Sequence, residues 1–136
     1  MQDGSIVTAA HSEPRVYRMT VEGRAVPAVR MTRRGVQVKE HPKRAAMDRY
    51  AAWKETVGRT AQQCGITEPL TGRLWCHLWV YLRRRGAADA DNLAKGIWDG
   101  LAGLAFDNDN QFDVLFVNIY AGDDDERVYI AIGRLP

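Results

Sequence analysis

The stretch from Arg73 to Leu82 constrains the fold more than any other part of the chain. Leu74, Cys76, Leu78, Val80 and Leu82 alternate with Trp75, His77, Trp79 and Tyr81. A strict period of two over this length is a β-strand. Apolar side chains at both sets of positions predict a central strand covered on two sides. With 136 residues there is material for one domain and one core of modest size, so the remaining elements must be arranged around this strand.

Upstream, Arg15 to Glu22 alternates Val16, Arg18, Thr20 and Glu22 with Tyr17, Met19 and Val21, and Gly23 closes it, which predicts a first strand. Residues 1–14 show no period and read as a loose tail before a domain spanning 15–136. Residues 24–38 hold Pro27, two short β-rich pieces and four arginines, an irregular hairpin or loop with a basic face. Pro42 opens a helix that runs to about Gln63 and is ended by Gly65. Its Met47, Tyr50, Lys54, Val57 and Ala61 recur at spacings of three or four, the pattern of a helix packed on a core.

Glu68 to Gly72 is a turn, and a second helix is expected from Asn92 to Leu104 with Leu93, Ile97, Leu101 and Leu104 on one stripe. A strand from Phe112 to Tyr120, a turn over Gly122–Asp125 and a strand from Arg127 to Ile132 read as an antiparallel hairpin. In that reading Asp123 to Glu126 is a solvated turn. The order of elements predicts an α+β fold, a mixed sheet with two helices packed on it.

The net charge of +2 conceals two unlike halves. Residues 1–85 carry 16 Lys/Arg against 7 Asp/Glu, and residues 86–136 carry 3 against 10. Such asymmetry suggests a polyanion-binding surface beside a concentration of carboxylates. Two cysteines are too few for a disulfide framework, and neither a signal-peptide pattern nor an apolar stretch of membrane-spanning length is present, so a cytoplasmic location is expected.

The carboxylates of interest flank the second helix. Arg83-Arg84-Arg85 ends the central strand, Gly86-Ala87-Ala88 follows, and Asp89-Ala90-Asp91-Asn92 leads into the helix. Two carboxylates two residues apart in an extended segment project to nearly the same side. One of them suits the helix cap, which leaves the other pointing into the same space. Asp107-Asn108-Asp109 follows the helix, whose expected length is roughly 20 Å, so the two acidic groups meet only if the chain returns. Asp89, Asp91 and Asp109 would together suit a hard divalent cation such as Mg²⁺, and the scattered His11, His41 and His77 offer no softer site. A carboxylate-held cation beside a basic surface is equipment for phosphodiester hydrolysis. Lys95, one helical turn after Asp91, either serves that chemistry or forms a plain surface pair with Asp91.

These residues carry a resemblance. Asp89-x-Asp91-Asn92-Leu93-x-Lys95, then Trp98-Asp99-x-Leu101, then Asn108-Asp109-x-Gln111 are similar to the motifs of RusA-type endodeoxyribonucleases, a family of Holliday junction resolvases. Gly23, Val26-Pro27, Arg30 and Pro42-Lys43 are compatible with the same family, and the likeness covers roughly residues 15–133. It implies that Asp89, Asp91 and Asp109 bind metal, that Lys95 is the catalytic lysine, and that Asp99 is a structural helix position. It further implies a homodimer, dependence on Mg²⁺ with Mn²⁺ as a substitute, and paired symmetric nicks in a four-way junction. Asn108 departs from the acidic residue that many relatives carry there, and Gly86-Ala87-Ala88 supplies no polar contact at the entrance.

Arg30, Arg33, Arg34, Lys39, Lys43, Arg44, Arg83, Arg84 and Arg85 are the candidate phosphate contacts. Two other readings stand beside the resolvase. One is a nuclease of the same fold acting on flaps, forks or other branched DNA. The other is a catalytically silent junction-binding protein, against which the intact acidic set argues.

Overall fold

A computed structural model describes residues 16–29 and 44–136 of the chain. The expected tail over 1–14, the later pieces of the basic loop and the start of the first helix at Pro42 lie outside the described residues. Within them the elements are β1 (Val16–Glu22), α1 (Arg44–Gln63), β2 (Leu74–Leu82), α2 (Ala90–Leu101), a 3-10 turn (Asp109–Gln111), β3 (Phe112–Ala121) and β4 (Arg127–Arg134). They form an α+β domain with one four-stranded mixed sheet in the order β1-β4-β2-β3. β4 lies antiparallel to both β1 and β2, while β3 is parallel to β2. A parallel pair needs a crossover, and α2 supplies it.

The expected hairpin of the last two strands does not form, because β2 lies between them. The burial of each strand gives the reason. Val128, Ile130 and Ile132 of β4 are at most 2% exposed, which demands an interior position, whereas β3 carries Asp113 and Asn118 and suits an edge. The connection therefore passes over the end of β2, where Gly122 and Asp123 donate backbone hydrogen bonds to the Leu82 carbonyl. Nor is the acidic run there a simple solvated turn. Glu126 accepts from the Arg83 amide at 2.9 Å and pairs with Arg24, contacts that hold its carboxyl below the usual range. Asp123 pairs with Arg127. These contacts tie the ends of three strands together.

β2 is central, but its two faces differ. Leu74, Cys76, Leu78, Val80 and Leu82 are buried under both helices, while Trp75, His77, Trp79 and Tyr81 are only half-buried on the other side. Apolar residues on both faces thus mark one helix-covered face and one aromatic face that no described element covers. The core lies between the sheet and Trp53, Val57 and Ala61 of α1 with Leu93, Ile97 and Leu101 of α2. Burial pushes the Cys76 thiol up to about 12, so it is an inert core residue.

The end of α1 follows its sequence closely. Gly65 takes φ +85°, and the Ile66 amide reaches back to the Ala61 carbonyl at 3.0 Å, with Ile66 buried behind it. α2 starts two residues earlier than expected and ends at Leu101, so Leu104 falls in the following turn. The two helices touch through glycine. A Cβ on Gly100 would lie 2.8 Å from Val57 Cβ and 2.9 Å from the Lys54 carbonyl, and one on Gly96 would lie 2.6 Å from the Val26 carbonyl. Gly100→Ala is expected to destabilise the fold by about 1–3 kcal/mol, since neighbouring backbone cannot yield as a side chain can. Chemical denaturation measures this, and an unchanged midpoint would show that the helices are free to separate.

Candidate active site

α2 begins where the sheet ends. Asp89 is its N-cap, with extended backbone and Oδ1 accepting from the Asn92 amide at 3.0 Å. Asp91 lies in the first turn, where the unpaired backbone amides favour negative charge. Of the two candidates for the cap, the first takes it. Both carboxylates therefore stand at one helix end, directly after Arg83-Arg84-Arg85 and the Gly86-Ala87-Ala88 step.

Lys95 does not pair with Asp91. Its Nζ donates to Asp99 Oδ1 at 2.9 Å and to Asp109 Oδ2 at 3.3 Å. The hydrogen bond to Asp99, with the charges of Asp99 and Asp109, raises the lysine pKa above its ordinary value, so the group is an ammonium at neutral pH. It stands as a positive charge and hydrogen-bond donor between the two carboxylates.

The acidic group after the helix does return toward it, by way of a compact turn over residues 102–108. Gly103, at φ +86°, donates to the Phe106 carbonyl at 2.7 Å, and the Leu70 amide binds the Ala105 carbonyl at 2.8 Å. The 3-10 turn is then pinned by its own side chains. Asn108 Oδ1 accepts from the Asn110 amide at 2.9 Å, while Gln111 Oε1 accepts from the amides of Asp107 and Asn108. Gln111 Nε2 donates to the carbonyls of Leu70 and Gly72, both at 3.0 Å. Asn108 thus works as a cap through its side-chain oxygen, a role that an acidic residue at this position would fill equally well. The capping pair Asn108 and Gln111 shows in the sequence as a spacing of three. The turn holds Asp109 against Lys95, at mid-helix.

Asp99 is anchored in turn by Tyr50 of α1. The phenol donates to Asp99 Oδ2, and burial first, then this hydrogen bond, raises the tyrosine pKa. Tyr50 reads in the sequence as one more residue of the core stripe, and nothing in its spacing points to a carboxylate 49 positions away. The contact exists because Gly96 and Gly100 let α1 and α2 approach. Tyr50, Asp99, Lys95 and Asp109 thus form one continuous polar chain from the helix interface to the site.

Of the nine candidate phosphate contacts, Arg30, Arg33, Arg34, Lys39 and Lys43 lie outside the described residues. Arg83, Arg84 and Arg85 are exposed at the end of β2. Arg83 pairs with Asp124 at 3.3 Å, and Arg85 folds back to donate to the Ala88 carbonyl, beside Asp89. Arg44, at the start of α1, lies 3.9 Å from Asp48.

Among the described residues no three His, Cys, Asp or Glu side chains gather as a metal-binding group. The structure brings Asp89 and Asp91 to one helix end but sets the third expected ligand, Asp109, on Lys95 instead. The donor chemistry still fits a hard cation. Mg²⁺ is commonly held by one or two carboxylates plus water and substrate phosphate, not by a protein cage. Asp89 and Asp91, both exposed at the start of α2, are carboxylates of that kind.

The model of a protein family described as Endodeoxyribonuclease RusA matches residues 25–133 of the chain. No curated protein matches it. Among the described residues no helix is long and apolar enough to cross a membrane.

Proposed function

The chain belongs to the RusA endodeoxyribonuclease family, and from that premise we propose that it resolves four-way DNA junctions by paired, symmetric nicks that depend on Mg²⁺, with Mn²⁺ as a substitute. The family itself is one of Holliday junction resolving endonucleases that act on branched DNA and depend in general on a divalent metal. The observation that carries the finer reading is the position of Lys95. Its ammonium is held by two carboxylates, one helical turn beyond a second carboxylate pair, in a part of the chain that follows an arginine run.

Asp89 and Asp91 are the residues that would hold the cation, and Asp109, tethered to Lys95, completes the acidic set. A divalent cation bound there supplies Lewis-acid polarisation of the phosphate and a more acidic attacking water. Lys95 stabilises the negative charge that builds on the phosphate in the transition state. Asp99 and Tyr50 keep Lys95 aimed at that position. Arg83, Arg84 and Arg85, with Arg44 and the basic residues from Arg30 to Lys43, grip the phosphate backbone and so give affinity without base reading. Two nicks on opposed strands need two sites related by a two-fold axis, which a homodimer supplies. The work is cytoplasmic, where such DNA is found.

Binding by a cleavage-deficient variant tests the basic surface. With about four phosphates neutralised, junction affinity is expected to fall roughly 100-fold between 50 and 200 mM salt. Arg84→Ala should lower the slope of log K against log salt by about one. A flat response would remove these arginines from the DNA surface. The same assay against a flap, a fork and a linear duplex separates a strict resolvase from a broader branched-DNA nuclease.

A further inference from the structure

α1, α2 and the segment 26–29 border a cavity of about 650 Å³. Two contacts fix that segment across α2. The Ala28 amide donates to the Asn92 carbonyl at 3.0 Å, and a Cβ on Gly96 would lie 2.6 Å from the Val26 carbonyl. Ala28, Val29 and, from α1, Ala46 give the cavity small apolar sides. Tyr50 and Asp99, joined by their hydrogen bond, line it as well. So do Asn92 and Lys95, three residues apart on one face of α2. A preformed space of this size, with apolar sides and a few polar groups, is the usual form of a site for a small organic group. It opens beside the reacting centre, because Lys95 belongs to both.

We propose that this cavity receives the nucleobase next to the scissile phosphate, turned out of its stack, and that the Asn92 amide binds its edge. The inference rests on the resolvase reading, which brings that phosphate to Lys95. Three observations select the occupant. The first is the tether. With the phosphate at Lys95, a single sugar separates it from the neighbouring base, so the base is the part of the DNA that the cavity can take in. The second is charge. Among the described residues the lining holds one cation and one anion, Lys95 and Asp99, and they are paired at 2.9 Å. A further phosphate would find no free positive charge there, whereas a base is neutral.

The third is the state of Asn92. Its backbone makes hydrogen bonds to Asp89 and Ala28, while its side chain makes none among the described residues. An amide offers donors and an acceptor together, and so matches the mixed edge of a base. Enzymes that extrude a base hold it between apolar or aromatic side chains and hydrogen-bond its Watson–Crick edge. Ala28, Val29, Ala46 and Asn92 supply that combination. The same cavity gives the site a reason to favour branched DNA. Turning out a base costs its pairing and stacking, and costs least where the strands already part. Nucleotides at a branch point meet that condition, and those within a linear duplex do not.

Fluorescence of 2-aminopurine, which rises as the base unstacks, tests the proposal. The probe is placed in turn at each nucleotide around the branch point of a junction bound by the full chain carrying Asp89→Asn. One position is expected to brighten at least about threefold on binding. Ala46→Trp, added to fill the cavity, is expected to bind the junction without that rise. Asn92→Ala is expected to lose most of it, and Gln63→Glu, on the exposed side of α1, none of it. With Asp89 restored, Ala46→Trp is expected to nick at least about tenfold more slowly than wild type. An abasic nucleotide at the brightening position is expected to restore most of that rate, since no base then needs housing. A misfolded variant would not be repaired by a change in the DNA. No rise at any position, an equal rise in Ala46→Trp, or slow nicking that the abasic nucleotide leaves unrepaired would overturn the proposal. A full rise in Asn92→Ala would remove the amide from it. A chain that brightens the probe yet nicks no junction would keep the cavity's role and lose the resolvase reading.

Discussion

Asp89→Asn is expected to leave the chain folded and bound to junctions while slowing cleavage at least about 100-fold, as expected when a charge held for the transition state is lost. The substitution is unusually clean. Asp89 caps α2 through Oδ1 and the Asn92 amide, and asparagine is as good a cap as aspartate. The helix start, and with it Asp91 and Lys95, should therefore stay in place. What disappears is one negative charge and one hard oxygen ligand. Asp89→Ala, in contrast, would also remove the cap, at about 1 kcal/mol, and mix stability with chemistry. Gel assays of binding and of single-turnover nicking separate the two effects. Nicking at the wild-type rate by Asp89→Asn would remove that carboxylate from the site.

Lys95→Ala is expected to reduce cleavage by about 10²- to 10³-fold with junction affinity nearly unchanged. On the proposed mechanism the lysine has two tasks that the variant abolishes together: it would place a positive charge near the reacting phosphate, and it holds Asp109. Asp99→Asn should cost less, about tenfold, because Lys95 keeps its charge and its contact with Asp109. That ordering distinguishes a residue that meets the phosphate from one that aims it. Equal losses in the two variants would mean that the tether alone matters. Wild-type nicking by Lys95→Ala would exclude the lysine from the chemistry.

Much of this arrangement is legible in the amino-acid order because it is local. The alternation of Leu74 to Leu82, the stop at Gly65 and the cap at the head of α2 each depend on residues a few positions apart. What the order hides is non-local. β2 inserts between β3 and β4 because β4 needs an interior position, a competition that neither strand reveals by itself. The apolar residues on both sides of β2 do not say whether a helix or some other surface covers the aromatic side. At the site, the pairing of Lys95 with Asp99 has the right spacing, but Tyr50 joins them only through the glycine contact of the two helices. The return of Asp109 depends on a turn over 102–108 whose closure rests on Leu70 and Gly72, far back in the chain.

The most direct measurement is cleavage of a mobile four-way junction, with both strands of each opposed pair labelled, in the presence of Mg²⁺ and after its chelation. The expected result is two nicks at symmetry-related positions that yield ligatable duplexes, with none after chelation and far less on a linear duplex. Nicking that persists after chelation, or that falls on the linear duplex as readily as on the junction, would contradict the assignment of Asp89, Asp91 and Lys95 to metal-dependent junction resolution.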